Sequence, residues 1–206
     1  MTDTVWVQDF AKKCPDATPW GAKQGESCAA IRNRRFHFVD TASHGGLYLS
    51  VEDRLQLHPK LAQMGEGGTG EWWEEDVACC VPIWWLCRDM LLEGDQAEFV
   101  EAVTRGVKAE FPDIFEELTG EIIPVQQSSE KRRRAAEAAN ANKFVVSAAW
   151  GDWAEWVPSG LVGVFARRAA DRAEAYFLVQ EPEYKTHPEF GFIVDPYRHL
   201  KVQGPQ

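Results

Sequence analysis

The stretch Arg35–Ser50, RFHFVDTASHGGLYLS, decides how the chain is read. Phe36, Phe38 and Asp40 fall on one face of an extended segment and His37 and Val39 on the other, the period-two pattern of a strand with two different environments. Gly45-Gly46 interrupts the pattern, and Leu47-Tyr48-Leu49 resumes a strand. Ser50, followed three residues later by Asp53, is the signature of an N-cap, and it predicts a helix running to Leu57. Strand, turn, strand and helix start thus succeed one another within some twenty residues, which points to a mixed architecture.

Working outward, Ala29–Arg32 reads as a partner strand joined to the first through Asn33-Arg34, and Val5–Lys13 as a short helix ended by Pro15 and Pro19. Gly65–Gly70 is a flexible loop. Glu74, Glu75 and Asp76 suit the first turn of a helix, where negative charge meets the positive end of the dipole. Pro82 is expected to kink or split the element that follows. Asp95–Phe111 is amphipathic: Val100, Val103, Val107 and Phe111 share one face, while Glu98, Glu101, Arg105 and Lys108 take another, with Glu101 and Arg105 spaced for an ion pair. Pro112–Leu118 is a short helix closed by Gly120, and Ser129–Asn142 a third helix carrying Lys131-Arg132-Arg133-Arg134. The end of the chain returns to strands at Phe144–Trp150, Leu161–Arg167 and Ala175–Val179, with Phe190–Val194 as a fourth. The expected fold is α+β over a single domain, residues 1–206: one antiparallel sheet built from N- and C-terminal strands, with a helical, acidic middle segment of about 71–142 packed on it.

Composition narrows the class. Of 206 residues, 45% are apolar and 26% charged, an ordinary globular mix that excludes disorder. The net charge of −10 is concentrated: residues 71–127 hold three basic and fourteen acidic side chains. Such a field repels nucleic acid and attracts basic surfaces. The Lys131–Arg134 run can touch phosphate, but four consecutive helical positions span most of the circumference and make a poor single patch. Met1–Phe10 has neither a basic start nor an apolar run, and no stretch has the apolar length of a membrane helix, so a cytoplasmic protein is expected. Five cysteines, an odd number without CxxC spacing, predict reduced thiols. Nine tryptophans, two pairs of them adjacent, serve either a core or an aromatic contact surface.

Three segments carry candidate chemistry. His44, flanked by Ser43 and two glycines at a strand end, is a candidate acid–base group or metal ligand; the alternative is a loop histidine beside a turn. Glu74, Glu75 and Asp76 can bind a cation or act as a base, or simply cap a helix. Asp152, between Trp150 and Trp153, is a carboxylate for catalysis or a turn residue. The catalytic candidates are therefore His44, Glu75, Asp76 and Asp152. Trp72, Trp73, Glu74 and Glu75 are the candidate partner contacts. No metal set and no cofactor is indicated, and the standard nucleotide, metalloprotease and hydrolase signatures are missing.

Taken in order, Thr18-Pro19-Trp20-Gly21, Thr41-Ala42-Ser43-His44-Gly45-Gly46, Trp72-Trp73-Glu74-Glu75-Asp76 and Trp150-Gly151-Asp152-Trp153 resemble an uncharacterised domain family of unknown function found in proteobacteria and in their plasmids and phages. The resemblance extends from about Thr18 to His199 and implies a mobile-element protein, without supplying an activity. Two functions are expected from this reading. The first is an acidic binding or inhibitory protein that meets a basic surface of a host protein, such as a defence component, without binding nucleic acid directly. The second is an enzyme with a His/carboxylate site around the Ser-His-Gly-Gly loop, and convergence of His44, Glu75, Asp76 and Asp152 on one pocket separates the two.

Overall fold

A computed structural model describes residues 5–7, 14–186 and 188–205. The chain is α+β and gathers into two compact units, residues 1–130 and 131–206, each with its own antiparallel sheet and its own core. The single sheet shared by both chain ends is therefore corrected to two five-stranded sheets, one in each unit. Each strand pairs with strands of its own unit, because antiparallel neighbours close short loops, whereas joining residue 40 to residue 144 closes a loop of about a hundred.

The first unit contains β1 (Trp6–Val7), β2 (Ala17–Thr18), β3 (Gly21–Ala22), β4 (Gly25–Ile31), β5 (Arg34–Asp40), β6 (Gly45–Tyr48), α1 (Val51–Arg54), α2 (Pro59–Ala62), β7 (Trp72–Glu74), α3 (Cys80–Cys87), α4 (Gly94–Glu110) and α5 (Pro112–Thr119). Its main sheet has the order β1-β4-β5-β6-β7, and β2 and β3 form a separate small hairpin. The two faces follow from the alternation along β5. Phe36, with Ile31, Leu47, Leu49 and Trp73, enters the main core against Val81, Ile83 and Trp84 of α3, Val103 and Val107 of α4, and Phe115 of α5. Val39 and Trp72 point the other way and form a smaller core with Cys14, Trp20 and Tyr48. The Ser50 hydroxyl accepts the Asp53 N–H at 3.1 Å, the expected N-cap, although the helix it opens is only one turn long. Gly120 ends α5 in the left-handed region at φ 76°, where a β-carbon would be strained.

Three local expectations are corrected here. Trp6–Val7 is a strand on the sheet edge rather than helix; residues 8–13 of that stretch lie outside the described residues. Glu74 ends a strand and Glu75 and Asp76 occupy the turn after it, so none sits in a helix first turn; the alternation of buried Trp72 and Trp73 outweighs the acidic signal. Pro82 neither kinks nor splits α3, because it is the third residue of that helix, where an N–H has no intrahelical acceptor to lose.

The helix α6 (Ser129–Asn140) begins at the boundary and lies mostly in the second unit, followed by β8 (Phe144–Trp150), β9 (Leu161–Arg168), β10 (Ala173–Gln180), α7 (Glu181–Tyr184), β11 (Ile193–Val194) and β12 (Leu200–Val202). The sheet order is β11-β8-β9-β10-β12, and Val164, Ala166, Phe177, Val179 and Val194 supply its core. The fourth expected strand, Phe190–Val194, is paired only at Ile193 and Val194. Among the described residues no helix is long and apolar enough to cross a membrane. The five cysteines are unbridged, and all except Cys80 are buried.

Candidate functional site

Three of the sequence motifs meet at the end of the first unit's sheet, on Gly45 and Gly46. Asp40 pairs with Gly45, so Thr41–His44 forms the hairpin loop, closed by the Thr41 N–H and hydroxyl donating to the His44 carbonyl at 2.8 and 2.6 Å. Gly46 carries no β-carbon because the indole of Trp20 lies where that carbon would be, with the Trp73 carbonyl 2.6 Å from the same point. Trp20 is aimed there by its own turn: the Thr18 hydroxyl donates to the Gly21 carbonyl at 2.8 Å and accepts the Trp20 N–H at 3.2 Å. Gly45 is filled in the same way by the Glu75 carboxylate, which approaches from the neighbouring strand end, while the Glu75 N–H donates to the Gly45 carbonyl at 3.3 Å. The Cys79 thiol donates to the Glu75 carbonyl at 3.2 Å and fixes that turn. The two glycines are seats for side chains from two other motifs.

This places each candidate residue. His44 is exposed on the loop beside Gly45, the Glu75 carboxylate lies against Gly45, and Asp76 is exposed one residue further on. Asp152 belongs to the second unit, is exposed in the β8–β9 connection and accepts the Ser159 hydroxyl at 3.3 Å. The structure thus brings His44 and Glu75 to one sheet end. Trp72 and Trp73, candidate partner contacts, are 7% and 1% exposed. Adjacent strand residues point to opposite faces, so each indole is buried in a different core and offers almost no surface to a partner, which corrects that assignment. Glu74 is half-buried, its carboxylate accepting the Asp76 N–H at 2.9 Å, and Glu75 is exposed. Among the described residues no group of three or more His, Cys, Asp or Glu is placed to hold a metal ion.

The outer face of the same sheet holds further polar residues, outside the sequence motifs. His37 is buried on β5 directly opposite Cys28 and Tyr48, with Nδ1 3.4 Å from Glu26 Oε1. Glu26 also accepts the Cys14 N–H at 3.3 Å and the Lys23 ammonium at 2.7 Å, so three donors surround one carboxylate. Burial, reinforced by Glu26, pushes the Cys14 thiol up to about 12, and burial does the same to Cys87, so both remain protonated and unreactive near neutral pH. Burial, with a smaller effect of Glu71, also raises Tyr48 and keeps its hydroxyl a donor. His37 and Tyr48 line a polar cleft of about 580 Å³ whose wall is the Arg34–Asp53 ion pair at 2.8 Å. A carboxylate behind a histidine at the floor of a cleft fixes the imidazole proton on Nδ1 and suits hydrogen-bonding recognition of a polar group. The strand pattern carries a signal for His37: it shares the Val39 face, and a polar residue buried there requires a partner. Glu26 lies eleven residues away and is found only through strand pairing.

No curated protein and no solved structure matches the chain. Three of the four motif groups above lie within residues 13–141, and that segment matches the model of a domain of unknown function (DUF7007). The chain belongs to that family.

Proposed function

We propose that the protein is a phage- or plasmid-borne binding protein whose acidic first unit occupies a basic surface of a host protein, such as a defence component. The observation that carries this reading is the charge balance of that unit, whose sequence holds twenty-three acidic against eleven basic side chains. Glu93, Asp95 and Glu98 project from the start of α4 and have no basic partner among the described residues. Elsewhere in this unit, Glu101, Glu117 and Glu121 are answered by Arg105, Lys60 and Lys108. The filled glycine seats give Gly45 and Gly46 a packing role, which favours a contact surface over a catalytic pocket there. Extended duplex DNA or RNA meets this field as a repulsive one.

Affinity purification from a bacterial host tests the reading, using the intact chain and the variant Glu93→Gln/Asp95→Asn/Glu98→Gln. The expected result is one retained protein with a basic surface, held about tenfold less tightly by the variant and released by salt. Retention that ignores both salt and the three substitutions, or tight binding of plain duplex DNA, contradicts it.

A further inference from the structure

The second unit holds a cleft of about 800 Å³ between α6 and its sheet. Its walls explain the basic run of α6. Arg133, Ala136, Glu137 and Asn140 line the cleft and recur at the spacing of a single helix face, so only one cation of the Lys131–Arg134 run enters it. Arg132, one position away, reaches Glu189 instead at 2.9 Å. What the helix cannot supply alone, the β9–β10 hairpin adds: Arg167, Arg168 and Arg172 line the opposite wall. Between the walls the floor is apolar, made by Val145, Val146 and Phe190.

The four guanidiniums are not equally engaged. Arg167 pairs with Glu174 across the strands at 2.9 Å, Arg168 is gripped by both oxygens of Asp171 at 2.9 and 2.7 Å, and Arg133 pairs with Glu137 on its own helix. All these partners are at the surface, where such pairs are weak and readily exchanged for a stronger anion. Arg172 has no carboxylate partner among the described residues. It sits at φ 59° in the turn, a conformation that costs energy for a residue with a β-carbon. A cleft of ligand size, with a flat apolar floor and planar guanidiniums on both sides, matches a molecule that is itself half apolar ring and half oxyanion.

We propose that this cleft binds a mononucleotide, the base lying on Val145 and Phe190 and the phosphates meeting Arg133, Arg167 and Arg172. Arginine suits this role because its fork of donors pairs with two phosphate oxygens at once. A cleft of this size has room for a single nucleotide, which distinguishes it from the binding of a continuous strand.

The test is equilibrium titration of the full chain with N-methylanthraniloyl-ADP, followed by displacement with ADP, adenosine, inorganic pyrophosphate and poly-glutamate. The expected result is saturable binding with a Kd of about 1–100 µM, displaced by ADP at least tenfold better than by adenosine or pyrophosphate. Arg172→Gly removes the guanidinium while relieving the positive φ, so it folds, and it is expected to weaken binding about tenfold or more. Val145→Asp is expected to abolish binding by charging the floor, and its fold is checked by circular dichroism. The absence of saturation at millimolar nucleotide, equal binding by Arg172→Gly, or displacement by poly-glutamate as effective as by ADP would each overturn the proposal.

Discussion

Each unit lays a tryptophan on a glycine of its own sheet. In the first, Trp20 from the β2–β3 turn covers Gly46; in the second, Trp156 from the β8–β9 connection covers Gly163. The neighbours differ. At Gly46 the backbone carbonyl of Trp73 lies 2.6 Å from the position of a β-carbon, and a carbonyl held in a strand cannot move aside. At Gly163 the other neighbour is the Val157 side chain at 2.6 Å, which can rotate. The first seat is closed by the sheet itself, and the second by side chains. Gly45-Gly46, suggestive of a catalytic loop in the sequence, therefore has a packing reason to be glycine.

The largest expected effect tests how much the first unit depends on its indoles. Trp73 is 1% exposed, and its ring N–H donates to the Gly70 carbonyl at 2.9 Å. Trp73→Ala is expected to lower the unfolding free energy by about 3–5 kcal/mol, measured by denaturant titration. The glycine seats come next. Gly46→Ala is expected to cost about 3 kcal/mol, and Gly163→Ala about 1–2 kcal/mol, because only the second site can relax. Equal losses would break the distinction between the two seats.

The units also differ in the end of the pH scale to which they respond. Cys14 in the first is raised from 9.0 to about 12, so the stability it contributes is complete below pH 9 and is lost as pH climbs toward 12. Asp171 in the second is lowered from 3.8 to about 2 by the Arg168 guanidinium, so its contribution is present above pH 3.8 and is lost as pH falls toward 2. Cys14→Ala is expected to flatten the alkaline limb alone, and Asp171→Asn the acid limb alone, in stability measured against pH. The smallest effect belongs to Trp153, which is 77% exposed: Trp153→Ala is expected to change stability by less than about 0.5 kcal/mol.

Local structure was legible where neighbours in sequence decide it. The alternation of Phe36 and Phe38 against His37 and Val39, the cap of Ser50 on Asp53, the Glu101–Arg105 pair at 3.8 Å and the left-handed Gly120 all follow from spacings of a few residues. What escaped the sequence depends on strand pairing. The division into two sheets, the meeting of Trp20 and Glu75 on adjacent glycines, and the Glu26–His37 contact each join positions whose proximity is set by register. Arg133 shows both sides: the scattering of its basic run around α6 was readable, but the three arginines that complete its cleft lie more than thirty residues on.

The reading of the glycine pair as a packing seat is tested most directly by a double-mutant cycle on Trp20 and Gly46, run beside one on Trp156 and Gly163. Removing the indole first should recover part of the Gly46→Ala penalty, leaving the share imposed by the Trp73 carbonyl, and nearly all of the Gly163→Ala penalty. The predicted coupling energies are about 1–2 kcal/mol in both units. Strict additivity at Gly46, with its full cost persisting after Trp20→Ala, would contradict the account and return the Ser-His-Gly-Gly loop to a functional role.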